Sequence, residues 1–335
     1  MAEAYGRPYQ LPSDSAYNES CANISNAMWS WRMLQLTGDA RYADVMERVL
    51  HNAALSAISL SGEKFTYTNP LRFNGKDHFR MTTDRQARWT RHTCYCCPPQ
   101  ISRTIAGLHR WTYSTSDTGL WVHLYGSNRI ETEVGETSIT LSQQSDYPWS
   151  GDIRFEVETA PSGAFTLNLR IPGWCEAATL SVNGEAVDVA GEGARYVPVT
   201  RDWAAGDVVE LSLDMTPRIV AGHPKVEEIR NQCAVICGPV VYCLEGADLP
   251  EGMSLNEVGL SADAVLTKKP GAGLFEGMTV LETNLRRRPK WSDDALYAPL
   301  SEINAETVTV SLIPYFAWNN RNDNTMMVWL PLQWS

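Results

Sequence analysis

After Thr118-Gly119 the hydrophobic period of this chain changes from 3.6 to 2, which limits it to a helical segment followed by antiparallel β structure. Residues 120–131, 137–143, 152–158 and 165–170 alternate apolar with polar residues or carry β-branched ones, with turn residues between them. Leu180-Ser181-Val182-Asn183-Gly184-Glu185-Ala186-Val187 predicts a hairpin, because Asn-Gly supplies the positive φ angles of a tight turn. With strands over 195–200 and 208–215, this part reads as a β-sandwich. Residues 233–245, CAVICGPVVYCLE, are apolar enough for one central buried strand whose cysteines fill core. Residues 246–289 read as loop, with Arg286-Arg287-Arg288 as a solvated patch. Strands over 308–313 and 326–330 close the sheet, with Trp318-Asn319-Asn320-Arg321 as a polar loop between them.

Ahead of the switch, residues 1–14 read as a loop. Ile24, Met28, Trp31, Leu34 and Leu36 recur at helical spacing over 19–36, and Thr37-Gly38-Asp39 ends that helix and caps a second over 40–58. An extended piece over 64–68 and a polar loop over 72–92 lead to a third helix over 99–113. Paired helices of this kind are the repeating unit of toroidal barrels. The expectation is a multidomain α + β chain, with partial (α/α)6 toroid helices over 1–118, a β-sandwich domain over 119–235 and a second β-rich domain over 236–335 completing the sandwich region.

Cys94-Tyr95-Cys96-Cys97-Pro98-Pro99 is the chemically loaded stretch, together with Glu19-Ser20-Cys21 far upstream. Two prolines suit the first turn of a helix, so Cys96 and Cys97 belong at a helix N-terminus, where the partial positive charge favours thiolate. A tetrahedral zinc site from Glu19, Cys21, Cys97 and either Cys94 or Cys96 satisfies the ligand preferences of that metal. The plainer reading is a set of buried reduced cysteines at a helix start, and spacing alone does not separate the two.

The net charge of −11 argues against nucleic acid and anionic membrane surfaces as partners. No apolar run is long enough to span a bilayer. Eight cysteines in 335 residues are too few for a disulfide framework. Their clustering points to metal or catalysis in a reducing compartment, hence the cytoplasm. Twelve tryptophans are many; most belong in core, and some suit stacking on sugar rings.

Several ordered motifs resemble those of glycoside hydrolase family 127, the β-L-arabinofuranosidases. They are Glu3-Ala4-Tyr5-Gly6, Leu11-Pro12, Ala16-Tyr17, Glu19-Ser20-Cys21-Ala22, Tyr67-Thr68-Asn69-Pro70-Leu71, the Cys94 to Pro99 stretch, Ile171-Pro172-Gly173-Trp174-Cys175 and Pro314-Tyr315-Phe316-Ala317-Trp318-Asn319-Asn320-Arg321. The resemblance implies an (α/α)6 barrel followed by β-sandwich domains, and a retaining exo-glycosidase acting on an arabinofuranoside oligosaccharide or glycoconjugate. It implies Cys96 as nucleophile, zinc held by Glu19, Cys21, Cys96 and Cys97, Glu3 as general acid/base and Tyr67 beside the sugar. Cys94 matches a family cysteine without an assigned role. The family's long N-terminal region and its sugar-binding histidines have no counterpart here, so the chain resembles the C-terminal portion of such an enzyme; a homodimer is left open.

Retaining glycosidases need a nucleophile and an acid/base on opposite faces of the anomeric carbon, normally two carboxyl groups. A thiolate replaces one of them in this reading. The competing reading is a non-catalytic module, stabilised by zinc and binding carbohydrate through its tryptophans. A cysteine hydrolase pairing with His92 is the weakest, because no orienting partner for that histidine can be picked out.

Overall fold

The computed structural model describes residues 6–75, 88–91, 94–160, 163–287, 296–297, 306–322 and 325–333. Two compact units divide the chain. One comprises Met1–Asn23, His51–Ile101 and Pro217–Ser335, the other Ile24–Leu50 and Ser102–Thr216.

Helix α1 (Ser20–Thr37) ends where Gly38 turns left-handed at φ 68° and its N–H meets the Leu34 carbonyl at 2.8 Å. Asp39 then caps α2 (Ala40–Arg48) through its side chain and the Arg41 N–H. The uninterrupted second helix expected over 40–58 instead becomes a π-helix over Val49–Ala54. Asn52 explains the wider turn. Its buried amide donates to the Pro239 carbonyl and accepts from the Val241 N–H, both at 2.8 Å. Helix α3 (Cys97–Gly107) starts at the cysteines as expected, and a single turn, α4 (His109–Thr112), follows it.

The partial (α/α)6 toroid is not supported. The structure is mostly β and 22% helical, and between the π-helix and α3 the described chain runs through isolated bridges, Ile58 to Phe65 and Phe65 to Trp89, instead of further helices. None of the described helices is long and apolar enough to cross a membrane.

The second unit holds two sheets. One is four-stranded, in the order Arg195–Asp202, Ala164–Ile171, Gly119–Val122, Tyr113–Ser116. The other is six-stranded, in the order Asn128–Val134, Thr137–Ser145, Asp152–Thr159, Val208–Leu213, Ala178–Val182, Glu185–Val187. The Asn183-Gly184 turn forms as read, with φ of 52° and 82°. Residues 120–131, expected as one strand, are two with a bend between them.

In the first unit the β-rich region closes on itself. Gln232–Cys237 pairs with Val240–Glu245, then in turn come Glu306–Pro314, Thr279–Arg287, Val258–Ser261 and Leu330–Gln333, and the last returns to Gln232–Cys237. This ring of six strands is a β-barrel, with no free edge along its circuit. It corrects three expectations. The single strand over 233–245 is a hairpin that turns at Gly238, φ 55°. The loop expected over 246–289 holds three strands, and Arg286 and Arg287 sit half-buried in one of them, with Arg287 facing Glu257 and Glu306. The expected polar loop at 318–321 is largely buried: the Asn319 N–H donates to Glu245, and Arg321 pairs with Glu245 and Asp248. Cys233, Cys237 and Cys243 fill the core, as read.

Candidate metal centre

Two segments 75 or more residues apart in sequence meet at one point of the first unit. Glu19 closes a bridge to Thr68 just before α1 begins, and the Ser20 N–H donates to the Tyr67 carbonyl at 2.9 Å. The Ser20 hydroxyl serves both the Thr66 and Tyr67 carbonyls at 3.1 Å. The start of α1, carrying Glu19 and Cys21, is therefore tied to the extended Thr66 to Pro70 segment. On the other side Cys96 and Cys97 open α3, with Pro98 and Pro99 in the first turn, where neither missing N–H costs an intrahelical bond.

One ligand atom from each of Glu19, Cys21, Cys96 and Cys97 lies within 4.8 Å of all the others. Cys21 Sγ is 3.6 Å from Cys97 Sγ, Cys96 Sγ is 3.7 Å from Cys97 Sγ, and Glu19 Oε1 is 3.3 Å from Cys96 and 3.8 Å from Cys97. These sulfur separations are far beyond the roughly 2.05 Å of a disulfide, and all eight cysteines are free thiols. Cys97 and Glu19 are buried, while Cys96 is exposed. Cys94 is exposed too, 3.5 Å from Cys96 Sγ and outside the group of four. The choice left open between Cys94 and Cys96 thus falls to Cys96.

Burial and crowding raise the pKa of the three clustered thiols, Cys21, Cys96 and Cys97. Desolvation, with hydrogen bonds to Glu19, Cys21 and Cys94, pushes Cys96 up to about 12. Burial and the neighbouring Cys21 push Cys97 up further, and burial also raises Cys21. A carboxylate and three thiols so close together cannot all ionise unless a cation balances them, and the cluster could hold a metal ion.

Tyr67 is buried beside the cluster. Its hydroxyl is 2.9 Å from that of Tyr17, and burial, together with hydrogen bonds to Tyr17 and Glu19, holds it firmly protonated. Tyr17 belongs to the Ala16-Tyr17 motif and carries no role by sequence. Asn69, likewise unassigned, lies at the centre of the support. Its Oδ1 accepts from Ser56 at 2.8 Å and Thr66 at 3.1 Å, its Nδ2 donates to Ser20 at 2.9 Å, and its carbonyl accepts from Tyr315 at 3.0 Å. Glu3 and His92 lie outside the described residues.

The chain matches three family profiles in succession: the β-L-arabinofuranosidase GH127 catalytic domain over residues 1–110, its middle domain over 119–215, and the glycoside hydrolase family 127 C-terminal domain over 217–331. A non-reducing end β-L-arabinofuranosidase from Bifidobacterium longum subsp. longum is 34% identical over 98% of this chain and 51% of its own length. Among solved structures, one described as a glycoside hydrolase superposes with a TM-score of 0.92 at 42% identity, covering 98% of this chain and 54% of the other. A GH127 β-L-arabinofuranosidase from Geobacillus stearothermophilus T6 gives 0.88 at 38% identity, covering 97% and 51%. The chain spans about half the length of each of these relatives. With three successive profiles of one family along it, the chain belongs to glycoside hydrolase family 127.

Proposed function

We propose that this chain carries the zinc-thiolate centre of a retaining glycosidase that releases L-arabinose from β-L-arabinofuranosides. The observation that carries the reading is the convergence of Glu19, Cys21, Cys96 and Cys97 within 4.8 Å. A tetrahedral zinc with Zn–S of about 2.3 Å sets neighbouring sulfurs about 3.7 Å apart. The 3.6 and 3.7 Å separations here fit that spacing without rearrangement. Glu19, Cys21, Cys96 and Cys97 would hold the ion. When bound, it supplies positive charge that keeps the four donors ionised and makes sulfur a tolerable leaving group.

The residues divide the work by exposure. Buried Cys97 and Glu19 act as ligands, whereas exposed Cys96 is placed to meet a substrate. Its thiolate sulfur attacks the anomeric carbon while the Glu3 carboxyl gives its proton to the departing glycosidic oxygen, leaving a glycosyl-cysteine. The Glu3 carboxylate then takes a proton from water, the water oxygen bonds to the anomeric carbon, and the Cys96 thiolate leaves. Tyr67, hydrogen-bonded to Glu19, lines the sugar site. Free thiols at all eight cysteines suit a reducing compartment such as the cytoplasm. In this reading the helical part spans 1–118, and the four- and six-stranded sheets that follow it form the sandwich.

The test is a peptide map by mass spectrometry after the zinc-loaded protein meets a mechanism-based trap shaped like β-L-arabinofuranose. The expected result is label on Cys96, absent in Cys96→Ser and after zinc removal. Label on another residue, or equal label without zinc, overturns it.

A further inference from the structure

The second unit contains a cavity of about 240 Å³ lined by Leu34, Gln35, Gly38, Ser114 to Ser116, Trp121, His123 and Tyr196. None of these residues belongs to the metal centre. From this cavity we infer a binding site for one unit of a neutral saccharide, built on the four-stranded sheet and the last turn of α1.

Composition selects the ligand class. In a chain of net charge −11, not one of the residues lining this cavity is charged. No lining residue offers a cation to hold a phosphate or carboxylate or an anion to hold an amine, and the guanidinium of Arg32 at the rim is engaged with Gln35 Oε1 at 3.0 Å. What lines it instead is hydroxyl, amide and aromatic surface: Ser114, Thr115, Ser116, Tyr196, Gln35 and the indole of Trp121. Sugars present that same mixture, hydroxyls around a ring with apolar C–H faces. Trp121 and Tyr196 are both half-buried, with ring centroids 4.9 Å apart at 83°, so two aromatic surfaces meet at a corner. The volume lies below the roughly 300 to 1,000 Å³ of sites for drug-sized ligands, which limits the occupant to about one ring.

The polar groups are also pre-arranged. His123 is 97% buried, with Trp31 edge-on to its ring at 5.5 Å. Its Nε2 lies 2.8 Å from the Ser114 hydroxyl and its Nδ1 2.5 Å from the Tyr196 hydroxyl. Burial keeps the imidazole neutral, so one ring nitrogen donates and the other accepts. If Nδ1 accepts from Tyr196, the Nε2–H occupies Ser114 and the serine proton is left over. In the other tautomer the tyrosine proton is left over. Either way one hydroxyl proton of the pair remains to be given to a ligand, and the histidine fixes the orientation of both side chains.

The experiment is saturation-transfer NMR and calorimetric titration of the full chain with methyl β-L-arabinofuranoside, methyl β-D-xylopyranoside and methyl α-D-mannopyranoside, with glucuronate as the anionic control. The expected result is saturable binding of at least one neutral glycoside and none of glucuronate. Trp121→Ala should weaken it at least about tenfold, Gln35→Ala should weaken it measurably, and Cys96→Ser should leave it unchanged. Gln35 is exposed, so its variant tests the site even if Trp121→Ala does not fold. Absence of saturable binding, binding indifferent to both substitutions, or binding lost in Cys96→Ser overturns the inference. The Cys96→Ser arm separates this site from the proposed catalytic one.

Discussion

Asn69 has no side chain exposure at all, and each of its amide atoms is used by a different segment of the first unit. Cutting it to alanine removes three buried hydrogen bonds at once, leaving the Ser20, Ser56 and Thr66 hydroxyls only their backbone carbonyl acceptors. Asn69→Ala should therefore cost about 2 to 4 kcal/mol, read from urea midpoints, because three buried hydrogen bonds of roughly 1 kcal/mol each are lost together. His123 makes a different residue-scale prediction. Burial pushes its pKa down to about 3, against about 6.5 for an unfolded histidine. Above pH 6.5 both states are neutral and the residue adds no slope. As pH falls from 6.5 toward 3, the unfolded chain takes up a proton that the folded chain refuses, and stability drops by up to ~1.4 kcal/mol per pH unit. His123→Gln should remove one proton from that slope in denaturant titrations at pH 7, 6 and 5.

Within the second unit, α2 is held to the Ala164–Ile171 strand by a buried charge network. Arg170, fully buried, donates to Asp44 at 2.6 Å and to Glu47, and its Nε donates to the His123 carbonyl at 2.6 Å. Glu47 also accepts from Trp174 Nε1 at 2.9 Å and from Tyr147, and Asp44 accepts from the Gly173 N–H at 2.9 Å. Removing only the cation leaves the Glu47 carboxylate buried without the Arg170 charge that balances it. Arg170→Ala should lose about 3 to 5 kcal/mol, while Arg170→Met with Glu47→Leu should lose clearly less, a non-additivity measurable in a double-mutant cycle. No periodicity in sequence announces this network. Arg170 lies in an alternating strand and Glu47 on an ordinary helix, and only their meeting makes either of them costly to change. Trp174, which sits in the Ile171 to Cys175 motif without a role by sequence, closes the network through Glu47.

For the whole molecule, the cluster of Glu19, Cys21, Cys96 and Cys97, which could hold a metal ion, joins the start of α1 to the start of α3. A ligand that binds only the folded chain stabilises it by mass action. Zinc analysis should find one ion per chain, and a strong chelator should lower the melting temperature by a few degrees, with the loss restored by zinc. A melting temperature indifferent to chelation would remove the ion from the fold. Removal should also raise the number of thiols that react rapidly, since Cys96 is exposed.

The local patterns determined a good deal. The switch of period at residues 118–119, the Asn183-Gly184 turn, the Gly38 stop, the Asp39 cap and the start of a helix at two cysteines and two prolines all follow from dihedral and hydrogen-bonding preferences of a few adjacent residues. The Glu-x-Cys and Cys-Cys halves of the centre were visible for the same reason, as chemistry concentrated in short stretches. What only the tertiary structure decided are closures between distant segments. The hairpin at Gly238 hides in a continuous apolar run, because both of its strands are buried. The barrel strand Thr279–Arg287 buries Leu281, Thr283 and Leu285, but its threonine and asparagine mask the alternation. Cys96 rather than Cys94 joins the cluster because α3 begins where it does, and the neutral cavity at Trp121 exists only because strands 113–116, 119–122 and 195–202 share a sheet. Short-range preferences are written in neighbouring residues, whereas which surfaces meet is a property of the packed chain as a whole.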